Sequence, residues 1–163
     1  MLKQSIKKVE QSKVFKSFIK KHSDYYLVHC FTMADAIAKK YKWDLGYYSE
    51  KNDNVVVFES EPKVSMKPAE EAFKKEGTIK KLDIKKVKVS VSKALELCNN
   101  LLIAKYPREI ITKRIIILQH LEKQVYNITL VSMSFNILNI RIDANTGEVI
   151  KDNIQSIISL GKK

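Results

Sequence analysis

Apolar positions recur along the chain at two different periods. Leu2, Ile6, Val9, Phe15, Phe18 and Ile19 keep a near-helical spacing with lysines between them, which predicts one amphipathic helix over residues 2–21 with a basic outer face. The period then shortens. YYLVHCFTM (25–33) is brief and rich in β-formers, as a strand requires. ADAIAKKYKW fits either a helical turn or a loop. In KWDLGYYS (42–49), Trp43, Leu45 and Tyr47 alternate with Asp44 and Gly46, giving one apolar face. The polar cluster SEKNDN turns the chain and VVVFES (55–60) runs back, completing a hairpin.

Residues 61–90 break the pattern. EPKVSMKPAEEAFKKEGTIKKLDIKKVKVS holds two of the three prolines, Gly77 and many charges, and reads as a charged surface connector. Within it Pro68 opens a short helix, PAEEAFKKEG, that Gly77 stops. A second amphipathic helix follows. Ser90 or Ser92 caps it, and Val91, Ala94, Leu95, Cys98, Leu101 and Leu102 form its apolar stripe. Pro107 requires it to stop by Tyr106. Strands are predicted at 111–121, 124–135 and 136–143. The last alternates, with Leu138, Ile140 and Ile142 inward and Asn139, Arg141 and Asp143 outward. ANTG turns the chain, Gly147 supplying a positive φ, and EVI (148–150) returns. The tail 153–160 fits a further strand or a helical turn.

The order of elements therefore repeats: helix and strands, connector, helix and strands. WDLGYYSEKNDNVVVF (43–58) lies over NILNIRIDANTGEVIK (136–151) without a gap, in pattern and spacing. The expected fold is α+β, built from two tandem α-β-β-β units. The first spans 1–60, the connector 61–90 and the second 91–163. Together they make a continuous sheet or two packed sheets, with the helices on one face.

Composition refines this picture only slightly. Hydrophobic residues make up 45% of the 163, enough for a packed core. The net charge of +12 attracts polyanions. However, nearly all of it is lysine, in a chain also rich in Ile and Asn, a composition that an A/T-biased genome yields without selection for binding. Cys30 and Cys98 sit in apolar runs, as small buried hydrophobes do. A disulfide is not required, and a reducing cytoplasm is expected. No stretch has the apolar length of a secretion signal or a membrane span.

The hairpin strand running into DANTGEVI resembles the end of a PepSY-type domain. The matching positions are Asp143, Ala144, Thr146, Gly147 and Glu148. VSVSKALELCNNLL before it resembles the first helix of that family. The resemblance covers residues 89–151. The first half is similar only as a degenerate copy, with SEKNDN in place of the Thr-Gly turn. The resemblance implies a helix followed by an antiparallel sheet, of cystatin-like shape, and a non-catalytic regulatory or protein-binding role. Some members are peptidase inhibitors in cell-surface settings, a role at odds with a cytoplasmic chain.

Candidate chemistry is sparse. His29 and Cys30 are adjacent in a strand and face opposite sides, so they form no dyad. His29 and His120 are too few for a zinc site. Glu70-Glu71 and Asp143-Glu148 fit a helix N-terminus and a hairpin rather than a catalytic pair. No nucleotide-binding, metalloprotease or nucleophile-elbow motif occurs. We expect no enzyme activity, cofactor or metal. The favoured function is a small protein- or peptide-binding regulatory module. It would use a sheet edge or face, and an edge also offers a route to a homodimer. The alternative is sequence-nonspecific nucleic-acid binding through Lys7 and Lys8 of the first helix and Lys80, Lys81, Lys85 and Lys86 of the connector.

Overall fold

Both halves of the chain contribute to one antiparallel sheet. The structure is a computed structural model that describes residues 1–72 and 77–160. The long strands of the first half are β1 (Tyr26–Asp35), β2 (Asp44–Ser49) and β3 (Asn54–Glu59). Two short ones, β4 (Ser65–Met66) and β5 (Glu70–Glu71), pair with β3. The second half supplies β6 (Ile111–His120), β7 (Gln124–Ser132), β8 (Asn136–Asp143) and β9 (Val149–Ser156). The order across the sheet is β4-β3-β2-β1-β6-β7-β8-β9. The halves meet at its centre, where β1 pairs with β6 from His29↔Gln119 to Asp35↔Lys113.

The strand period of two puts one apolar row on the inner face. Phe58, Leu45, Cys30, Leu118, Tyr126 and Ile142 are register neighbours across six strands, from β3 to β8. None is more than 1% exposed. Truncating Phe58 to Ala here would cost about 3–5 kcal/mol. The helices cover this row. α1 (Leu2–Gln11) contributes Leu2, Ile6 and Val9, α2 (Lys13–Lys21) contributes Phe15, and α3 (Val91–Lys105) contributes Ala94, Leu95 and Cys98. The Phe15 ring packs on Tyr47 and Phe58, with centroids 4.8 and 5.1 Å away. Ser90 caps α3 by accepting from the Lys93 N–H at 3.1 Å, and the helix ends before Pro107.

The first helix differs from expectation: it is two helices. Ser12 is extended (φ −68°, ψ 152°) and its Oγ accepts from the Phe15 N–H at 3.1 Å while donating to the Val9 carbonyl at 2.7 Å. One hydroxyl thus ends α1 and caps α2.

The 61–90 segment also differs. Glu70 and Glu71 extend along β3 rather than opening a helix, and residues 73–76 of that expected helix lie outside the described residues. Beyond Gly77 the connector is stitched along one end of the sheet. The Tyr26 hydroxyl donates to the Ile79 carbonyl (2.9 Å), the Leu82 N–H to the Leu27 carbonyl (2.8 Å), and the Asp83 N–H to Gln124 Oε1 (2.5 Å). Leu82 and Val87 are buried. A 3-10 turn at Ile84–Lys86 follows, and the N–H groups of Lys88 and Val89 then bind the Ala144 carbonyl. The tail takes both expected forms: β9 runs to Ser156 and a short helix, α4 (Ile157–Leu160), ends the described chain.

Candidate functional site

The face of the sheet opposite the helices grades from acidic to apolar to basic. One register row crosses it as Asp44, Phe31, Ile117, Asn127, Arg141 and Lys151. The next runs Met33, Ile115, Thr129, Asn139 and Asn153. At the acidic end Asp44 and Glu59 share Lys67, each at 3.1 Å. The Ser65 hydroxyl and Lys67 hold Glu59 below the usual carboxylate range. In the middle Phe31, Ile115 and Ile117 are half-buried and Met33 is 57% exposed.

The basic end is a depression of about 220 Å³ lined by Asn127, Asn139, Arg141, Lys151, Asn153 and Gln155. Alternation on β7, β8 and β9 brings these six to one face, and among the described residues no carboxylate lines it. Thr129 Oγ1 donates to Asn139 Oδ1 at 2.8 Å, holding that amide in place. Arg141 is half-buried, and its Nε is buried with no hydrogen-bond partner among the described residues. A guanidinium so placed offers bidentate donors to a carboxylate, and the surrounding amides can both donate and accept.

His29 is on this face too, and Cys30 is on the other, in the core. Burial lowers the His29 pKa below its ordinary value, with Asp44 opposing. Burial pushes the Cys30 thiol far above the usual range and Cys98 up to about 12. His120 Nδ1 lies 2.7 Å from the Lys81 carbonyl, one more stitch of the connector. Among the described residues no group of three or more His, Cys, Asp or Glu side chains is placed to hold a metal, and no helix is long and apolar enough to cross a membrane.

The candidate lysines all lie at the surface. Lys8 pairs with Glu61 at 2.8 Å. Lys7, Lys80, Lys81, Lys85 and Lys86 are exposed. The Lys85 N–H bonds Asp83 Oδ1 within the 3-10 turn. The hairpin residues serve the turn itself. Asp143 is buried rather than outward, because its Oδ1 accepts from the Asn145 and Thr146 N–H groups at 2.8 and 3.0 Å. Burial raises its pKa, but those two N–H groups and Lys123 outweigh it and hold the carboxyl below its usual value. Gly147 has φ +82°, and Thr146 Oγ1 accepts from the Glu148 N–H. Of the depression, Asn139 and Arg141 were legible as outward positions. The rest needed the register between β7, β8 and β9.

No family model matches the chain, and no curated protein matches it. Among solved structures it is similar to a Clostridium difficile 630 protein described as a "putative lipoprotein", with 18% identity and a TM-score of 0.56. The match covers 91% of this chain and 94% of that one. At this identity the likeness is one of fold.

Proposed function

We propose that the chain is a non-catalytic module that binds an extended acidic segment of another protein on the open face of its sheet. The observation that carries this reading is Arg141, whose Nε has no hydrogen-bond partner among the described residues, in a depression where those residues supply four amides and Lys151 but no carboxylate. The half-buried Phe31, Ile115 and Ile117 next to it would take apolar side chains of the same segment. Alternating strand geometry in the ligand would match the rows on the face. The two halves, the first a helical stretch followed by three long strands and the second a helix followed by four, are read as tandem PepSY-like units fused through β1 and β6.

The test is fluorescence anisotropy with labelled octapeptides that alternate Glu or Asp with apolar residues, with single-stranded RNA and DNA of similar length in parallel. Expected is peptide binding in the micromolar range, weakened at least about tenfold by Arg141→Glu. Peptide binding that ignores Arg141→Glu would sink the proposal. So would tight nucleic-acid binding with a steep salt dependence and no peptide binding.

A further inference from the structure

A second cavity opens on the helical side, away from the face described above. Its walls are the first turn of α1, the 39–43 loop and the 84–92 segment, and it holds about 760 Å³. That lies in the range of small-molecule sites, roughly 300–1,000 Å³. Leu2, Trp43, Val87 and Tyr126 give it an apolar floor, and Ile84, Val89 and Val91 add half-buried apolar wall.

Several polar groups of the lining are already engaged. The Tyr126 hydroxyl is spent on the Val89 carbonyl at 2.7 Å and the Ser90 hydroxyl on the Lys93 N–H. Glu61, the one carboxylate that the described residues bring to the lining, is paired with Lys8 at 2.8 Å. Five lysines remain around the rim: Lys3, Lys39, Lys40, Lys42 and Lys88. All five are exposed, and no ion pair among the described residues engages them. An apolar chamber ringed by ammonium groups is complementary to a molecule with an apolar body and an anionic head.

We propose that this cavity binds a free single-chain anionic amphiphile. Its alkyl chain lies on the Leu2–Trp43–Val87 floor and its carboxylate or phosphate sits among the rim lysines. The site is independent of the peptide-binding face, and neither reading depends on the other. Affinity then rises about fourfold for each methylene added until the chamber is full. Reversing the rim charge weakens the anion while leaving the floor intact.

Trp43 makes the test direct, because it is the chain's single tryptophan and lines the cavity. The full chain is titrated with decanoate, dodecanoate, tetradecanoate and dodecyl phosphate below their micellar concentrations. Dodecyltrimethylammonium and dodecyl maltoside are the cationic and neutral controls, and vesicles of anionic phospholipid are a separate arm. The expected result is a saturable change in Trp43 emission with the anions, steepening with chain length. Lys3→Glu/Lys88→Glu, on exposed positions that leave the core untouched, should weaken it at least about tenfold. The proposal falls if the three head-group charges respond alike, if the double variant binds as the parent does, or if only the vesicles bind.

Discussion

The imidazole of His29 on β1 lies flat over the Cα of Gly46 on β2, so closely that a methyl group at position 46 would overlap the ring. Glycine is required there for space, not for an unusual backbone angle. Gly46→Ala should therefore destabilise by about 1–3 kcal/mol, an overpacking effect. His29→Ala in the same chain should restore most of the loss, and urea denaturation of the two single variants and the double variant measures this coupling.

The same contact gives stability a pH dependence. His29 is half-buried and desolvation lowers its pKa from 6.5, so the unfolded chain takes up its proton first as pH falls. The contribution is fully present above pH 6.5 and is lost as pH drops below that toward the folded-state value. Urea midpoints at neutral pH and near pH 5 should fall further for the parent than for His29→Gln. Equal falls would remove His29 from the account.

The Asp143 hairpin sets a second, more acidic limb. Its carboxyl is held below 3.8, so its contribution is present above that pH and lost as pH falls through the folded-state value. Asp143→Asn should flatten that limb of the stability curve. Gly147→Ala should cost about 1 kcal/mol at every pH, because its φ of +82° is strained for alanine. Leu97 and Val89 leave ordinary room for the methyl group.

Cys30 and Cys98 are free and buried, and burial raises both thiol pKa values. Neither should react with a thiol reagent such as DTNB in the native protein at neutral pH, and both should react in denaturant. Fast native labelling of either would mean that its part of the core opens.

Arg141 should separate binding from stability. Its Nε is buried without a partner among the described residues, which carries an unrepaid desolvation penalty. Arg141→Met should leave the urea midpoint unchanged or raise stability by up to about 1 kcal/mol. A loss of about 1 kcal/mol or more would make Arg141 a structural residue.

The strands with a buried and a solvated face were readable because alternation is local. Leu138, Ile140 and Ile142 announce their face within five residues. Ser12 was not readable as a break, since a serine on the polar side of an amphipathic stripe looks the same whether it continues the helix or caps the next one. β4 and β5 have two residues each, too few to show a period. The lysines of the connector hid its buried members, Leu82 and Val87, which hold it to the sheet. The depression around Arg141 is a product of cross-strand register. Lys151 meets Arg141 only because a register irregularity between Arg141 and Ile142 shifts the pairing of β8 with β9.

The β1–β6 seam has a consequence for assembly. Each half, detached from the other, would present a ten-residue strand as an open edge, β1 on one and β6 on the other. The only complementary edge either strand knows is the one it already pairs with. Were the stitches along the connector to open, the matching half of a second copy would offer that same edge in the same register. Reciprocal exchange of halves between two molecules would then rebuild every pairing of the native sheet.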